Sequence, residues 1–293
     1  MTTLTDKFID MLAGNEENPE VCREAAEMIF SAPETPETIG LMAYIYHEGI
    51  GVDVDLDKCF SLAEKAAFEG GDGLGYYLLG YMCDNAETPD QADGGSRQKY
   101  DQYDAERFYE KCAEIDSRWQ ESARLWLGDY YMNMAQGGDP EIGIEYYESI
   151  AHNNAEAAGK LSDYYWELTM PNSLDDKEWL AQLFKWTEVA TALEPEEYSY
   201  RMGWLYADGL GCEKDYDKAI EYFRAAYIYG DWRGAKSIAD CFEEFTSEHP
   251  ELSEEDKAHY ENKIKEWNSL AELLREDDLY NDPDELDNDI EED

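Results

Sequence analysis

One skeleton occurs twice in this chain, and it decides what the chain can fold into. The run Met202-Gly203-Trp204-Leu205-Tyr206-Ala207-Asp208-Gly209-Leu210-Gly211 leads to Lys218-Ala219, Ala225-Ala226 and Gly230. Earlier, Met42-Ala43, Tyr46, Gly49 and Gly51 lead to Lys58-Cys59, Ala66-Ala67 and Gly70. A unit that recurs builds a stack of like parts, because each copy has an apolar face that only its neighbours can cover. The beginning of the unit also recurs on its own. A large apolar residue followed by a small one appears at Met42-Ala43, Leu79-Gly80, Leu127-Gly128, Leu161-Ser162, Met202-Gly203 and Ile238-Ala239. These pairs stand roughly 40 residues apart, the period of helix-pair repeats with loop insertions. The small residue allows a second helix to approach closely. The second stretch of each unit has helical periodicity, as in Ala219, Tyr222, Phe223 and Ala226 or Ala105, Phe108, Tyr109, Cys112 and Ala113.

The pattern resembles the Sel-one-like repeat family, a relative of the tetratricopeptide repeats: A-x-x-x-L-G-x-x-Y-x-x-G-x-G-V, then K-A, then A-A-x-x-G. Residues 38–71 and 198–231 carry it closely, and the first also keeps Val52. The second has Cys212 in place of that valine and one extra residue before Gly230. Units starting near Gly75, Ala123 and Ala157 keep the helical positions without the G-x-G loop. The stretch with Trp186, Val189, Ala190 and Pro195 is more tetratricopeptide-like. The resemblance spans residues 38–245. It implies an all-α fold, a right-handed superhelix of five to six helix pairs with capping helices, and the work of a protein-interaction scaffold or adaptor.

The expected organisation is two N-terminal capping helices within 1–37, the repeats over 38–245, a C-terminal capping helix over 246–275 and an acidic, disordered tail over 276–293. Asn18-Pro19 reads as a helix start, and Ser253-Glu254-Glu255-Asp256 as a variant capping box. Asn85–Tyr103, with Pro89 and Gly94-Gly95, reads as a projecting insertion, and Met170–Asp176 as a shorter one. The tail has eleven acidic residues and no basic one, a composition that cannot collapse.

Charge sets the class of partner. Seventy acidic residues face 23 basic ones, a formal net charge of −47. Direct nucleic-acid binding is not expected, since phosphate contacts need Lys and Arg, and anionic membranes repel such a chain. Basic proteins or peptides are the natural partners; solubility or salt adaptation also explains the acidity. Met1–Asp10 lacks the features of a signal peptide, and no apolar run reaches the ~20 residues that span a bilayer. The six cysteines form no C-x-x-C and no pair repeated per unit, so free thiols in the cytoplasm are expected.

No constellation points to catalysis, a cofactor or a metal. Gly49/Gly51, Gly73/Gly75 and Gly209/Gly211 lack the strand and third glycine of a dinucleotide site; two of these pairs fall in turns between repeat helices. Asp53-x-Asp55-x-Asp57 with Glu64 has Lys58 where a calcium loop needs glycine. His47, His152, His249 and His259 have no metal-ligand spacing. Asp282, Asp284, Asp287 and Asp289 offer only the weak cation affinity of any acidic tail. What remains is a binding groove. In the related tetratricopeptide class the first helix of each unit lines it, with contacts at −3, +1, +4 and +5 around the small residue. Those positions here are Tyr44 and His47; Tyr77, Tyr81 and Asp84; Leu125, Asp129 and Met132; Asp163 and Trp166; Tyr200, Trp204 and Asp208. A stripe of rings and carboxylates suits Lys or Arg, with part of the rings expected to pack between helices. Two other readings fit the composition: an acidic mimic of nucleic acid that inhibits a basic protein, and an enzyme with an unrecognised site. The partner's identity and the oligomeric state are not written in the sequence.

Overall fold

The computed structural model describes residues 3–89, 99–133, 138–169 and 176–281, the last six as backbone only. Among them the regular elements are fourteen α-helices and one π-helical turn. The middle of the 85–103 insertion, the insertion at 170–175 and the chain beyond 281 lie outside the described residues.

The chain divides into two compact units, Met1–Ile150 and Ala151–Asp293, so the boundary falls inside the stretch that the sequence reads as repeats. In the first unit, α1 (Leu4–Leu12) pairs with α2 (Pro19–Phe30), and α3 (Pro36–Glu48) with α4 (Leu56–Glu64), which continues into the π turn Lys65–Glu69. Then α5 (Gly73–Asp84) pairs with α6 (Gln102–Glu114), and α7 (Gln120–Met132) with α8 (Pro140–Glu148). In the second unit the pairs are α9 (Ala155–Thr169) with α10 (Lys177–Leu193), α11 (Pro195–Asp208) with α12 (Tyr216–Ile228), and α13 (Trp232–Glu248) with α14 (Glu254–Asn281). Each pair also packs on the next within its unit, the arrangement of a helix-pair solenoid. Helix α14 runs through Asn281, so the backbone of 276–281, expected to be disordered, is the end of this helix.

The acidic composition helps to start these helices. Seven of them begin at an aspartate whose carboxylate accepts a backbone N–H of the first turn: Asp55, Asp72, Asp101, Asp139, Asp176, Asp215 and Asp231. A capping acceptor satisfies an orphan donor and complements the positive end of the helix. Ser253 caps α14 through Asp256 N–H at 3.1 Å. These caps use a small part of the seventy acids; most of the negative charge serves no helix start.

The two closest copies of the motif fold alike. Gly49 and Gly209 end α3 and α11 in the left-handed conformation, at φ 70° and 69°. Two residues on, a side chain on Gly51 would run into Cys22 O of α2, and one on Gly211 into Leu180 O of α10. The second glycine therefore lets the turn press against the preceding pair. The turn closes through Asp55 N–H to Tyr46 O and Asp215 N–H to Tyr206 O, each at 2.9 Å. The Asp-x-Asp stretch is thus a helix start, not a cation loop: Asp55 accepts Lys58 N–H at 3.0 Å.

Small residues on the first helices receive rings from the second. Gly80 lies under Tyr109, Gly128 under Tyr147 and Gly203 under Phe223. At Ser162 the contact is polar, a buried 2.8 Å hydrogen bond with Thr187. The core residues Leu79, Leu127, Leu161, Met202 and Ile238 precede these small positions and are fully buried. Helix α14 packs on α12 and α13 with Trp267 against Tyr227, Tyr260 between Phe242 and Phe245, and a buried Ala271.

Candidate functional site

The stripe read from the sequence lies in both units, and each part has its own character. In the first unit the rings form a continuous ladder. Tyr44 meets Trp119 at 5.8 Å, Trp119 meets Tyr77 at 5.4 Å, Tyr77 meets Tyr109 at 5.6 Å, and Tyr109 stacks on Trp126 at 4.2 Å. Trp126 stacks on Tyr130 at 5.1 Å with planes 12° apart. Burial raises the hydroxyl pKa of Tyr44, Tyr77 and Tyr109, so these phenols stay neutral.

Polar groups along the ladder are held by specific partners. His47 has Nδ1 2.6 Å from Glu48 Oε1 and Nε2 3.1 Å from Glu87 Oε2, and its ring meets the edge of Tyr81. The Trp126 indole N–H donates to Asp84 Oδ2 at 3.0 Å. The Tyr147 hydroxyl donates to Asp129 Oδ1 at 2.6 Å. Asp84, Asp129, Trp126 and Tyr130, with Gln102, Tyr103 and Asn133, line a cavity of about 380 Å3. Met132 leaves this set: its side chain packs on Gly143 of α8, where a glycine gives it room. A second cavity of about 540 Å3, mostly apolar, lies where α1 and α2 meet Tyr44 and Trp119.

In the second unit the stripe holds cations of the chain itself. Arg201 Nη1 donates to Asp163 Oδ1 at 2.6 Å and to Ser162 Oγ at 2.8 Å. Its guanidinium lies 5.0 Å from the Trp166 ring centre and 5.7 Å from Tyr198. Trp166 in turn packs on Trp204 at 5.0 Å. Arg233, fixed by Asp231, covers Tyr200 at 4.6 Å. At the end of α11, partial desolvation and then the Glu244 carboxylate hold the Asp208 carboxyl above its ordinary value, with Lys214 opposing.

The structure therefore gathers Tyr44 and Tyr77 into one ladder, His47 and Tyr81 into one contact, Asp84 and Asp129 into one cavity, and Asp163 with Trp166 around Arg201. Five of the six stripe aromatics are partly buried against the cores, leaving Tyr81 as the exposed one, at 36%. Sequence reasoning missed Trp119, Trp126 and Arg201. Trp126 and Arg201 both stand two residues before the small residue, a position outside the set inferred from the tetratricopeptide class. Trp119 sits in the loop before α7, which the helical offsets do not reach. Among the described residues no group of three or more His, Cys, Asp or Glu side chains is arranged to hold a metal ion, and no helix is long and apolar enough to cross a membrane.

This architecture defines a helix-pair repeat protein. The Sel1 repeat profile matches residues 39–70, 122–154 and 197–228, so the chain carries Sel1 repeats. Proteins built from Sel1 repeats are generally protein-interaction scaffolds. Among solved structures, the chain is similar to a protective antigen of uropathogenic Escherichia coli that displays an SLR fold. The TM-score is 0.54 at 18% identity, over 94% of this chain and 60% of the antigen. It is also similar to a Sel1 repeat protein from Oxalobacter formigenes, with a TM-score of 0.51 at 20% identity, over 90% of this chain and 99% of that one. Both likenesses concern the fold.

Proposed function

We propose that this chain is a protein-binding scaffold whose first-helix stripe takes a basic segment of a partner protein. The observation that carries this reading is Arg201. Where a carboxylate and an indole stand together on the stripe, the chain sets a guanidinium against both, with Asp163 at 2.6 Å and Trp166 at 5.0 Å. Carboxylate pairing and cation–π attraction reinforce each other there. A partner that brings such a group meets a chain of net charge −47, which steers it inward from a distance and discourages nucleic acid and anionic membranes. The six cysteines are free thiols, which fits a reducing compartment; the proposed location is the cytoplasm.

The test is calorimetric titration with arginine- and lysine-rich peptides, and with acidic peptides of equal length. Basic peptides bind, and binding falls as salt shortens the screening length from about 10 Å at 0.1 M to about 3 Å at 1 M. Acidic peptides that bind as well, or basic ones that do not bind, reject the reading.

A further inference from the structure

The cavity of about 540 Å3 beside Tyr44 joins an apolar interior to a charged rim. Phe8, Tyr44 and Trp119 are its aromatic walls, with Phe8 edge-on to Tyr44 at 6.5 Å and Tyr44 against Trp119 at 5.8 Å. Ile9 of α1, Ile50 in the turn after α3 and Cys22 of α2 add to the lining. Ile9, Ile50 and Trp119 are only partly buried, so apolar surface here stays in contact with water. Covering it with an apolar group is favourable in proportion to the area covered. The volume is in the range of pockets that enclose a ligand.

The charge at the rim is mostly of one sign. Helix α1 ends at Leu12 and α3 at Glu48, and both ends line the cavity, so two helix C-termini direct partial negative charge at it. Glu16 and Glu48 add carboxylates. The Cys22 thiol donates to Glu16 O at 3.2 Å and ties down the turn that carries the first; the second is half exposed. Arg118, also at the cavity, faces Asp6 at 3.7 Å. An apolar hollow under such a rim favours a basic partner. It disfavours a second copy of this chain, which brings a net charge of −47. Tyr44 is also the first rung of the ring ladder, so a segment laid along the stripe reaches this cavity at one end.

We infer that this cavity is the anchor pocket for the partner's segment, taking a large apolar side chain, phenylalanine or leucine, that has Lys or Arg beside it. The inference rests on the basic-segment reading above. The apolar side chain displaces water from the rings and isoleucines, while the neighbouring cations meet Glu16, Glu48 and the two helix ends. A basic segment without such a residue feels the same field and leaves the pocket wet.

Two peptides of equal length and charge are titrated into the full chain by calorimetry. Both alternate Lys and Ser, and one has Phe in place of the central Ser. The Phe peptide binds about tenfold more tightly or better, the worth of burying one such side chain. In the same complex, nuclear Overhauser transfer runs from the peptide's ring protons to the methyl groups of Ile9 and Ile50. Ala13→Phe, which fills the cavity from an exposed position, brings the ratio of affinities to about one. Leu273→Phe, at a residue 61% exposed in the second unit, keeps it. Glu16→Gln/Glu48→Gln weakens the Phe peptide several-fold, more than Glu254→Gln/Glu266→Gln, which removes equal charge in the second unit. Equal affinity for the two peptides, no transfer to Ile9 or Ile50, or a ratio that survives Ala13→Phe overturns the anchor pocket and leaves the basic-segment reading standing. A dimer in sedimentation that Ala13→Phe dissociates gives the pocket to a second copy and overturns it as well. Binding of neither peptide takes down both readings.

Discussion

The Phe223 ring lies directly over the α-carbon of Gly203: a methyl group placed there would come within 2.6 Å of ring carbon Cδ1. Helices α11 and α12 approach this closely because one contributes a ring and the other nothing beyond its backbone.

Gly203→Leu therefore overpacks the second unit by roughly 1–3 kcal/mol. The change is read as a lower midpoint in urea or thermal melting, and an unaltered midpoint contradicts the placement. Alanine substitutions test the same contact along the chain. A methyl on Gly80 would stand 3.0 Å from Tyr109, and one on Gly128 would stand 2.3 Å from Tyr147. The expected order of damage is Gly80→Ala least, Gly203→Ala next and Gly128→Ala most.

This row of small residues was legible from sequence, since a Leu-Gly or Met-Gly pair that returns at a regular period marks helices packed at close range. The G-x-G turns were equally legible, because Gly49 and Gly209 fill a left-handed position that other residues avoid. The candidate site was legible only as a stripe. Sequence places Asp84 and Asp129 on first helices, and it cannot show that an indole and a phenol orient them. Nor can it show that Asp163 is met by the chain's own Arg201. Such pairings depend on rotamers between neighbouring helices, which a repeat pattern does not encode. The division near Ile150 left no mark either, since the small-residue pairs continue across it from Gly128 to Ser162.

Arg201 tests how much the cation that the chain sets on its own stripe contributes. Arg201→Met keeps the aliphatic stem and removes the charge, the bond to Asp163 and the contact with Trp166. Asp163 is half exposed, so solvent screens the pair, and the expected loss is about 0.5–1 kcal/mol. The loss shrinks in high salt. A variant as stable as the parent at low salt shows that Arg201 contributes nothing net.

Asp72 links stability to pH. It caps α5 by accepting Gly75 N–H at 2.9 Å and touches Gly40 of α3. Burial raises its carboxyl above the ordinary 3.8; the Gly75 bond opposes this and Glu37 adds to it. With the folded value above the unfolded one, the folded state takes up the proton first as pH falls, so this group favours folding more in acid than at neutrality. Asparagine caps as well as aspartate and carries no charge to desolvate. Asp72→Asn is therefore at least as stable as the parent at pH 7, and its advantage closes as pH falls to about 3.8. Asp72→Ala, which loses the cap, costs about 1 kcal/mol. Melting curves of the three proteins across pH check the sign; an asparagine variant that is weaker at pH 7 reverses the assignment.

Binding kinetics separate the stripe from the charge that surrounds it. Trp204 packs on Trp166, the ring that holds Arg201, and Asp208 ends the same helix. If a basic segment lies along this stripe, Trp204→Ala with Asp208→Ala removes a ring and a carboxylate from the contact, and dissociation speeds up, because aromatic anchors carry much of an interface's energy. Deleting 276–293 removes eleven acidic residues and no basic one. That change acts on the long-range field, so association slows while dissociation barely moves. The same field is screened over about 10 Å at 0.1 M salt, and the effect of the deletion therefore fades at high salt while that of the double variant persists. Surface plasmon resonance with a basic peptide, at low and high salt, measures both rates. Full affinity in the Trp204/Asp208 double variant, or binding indifferent to salt, rejects the stripe of rings and carboxylates and directs attention to another face of the protein.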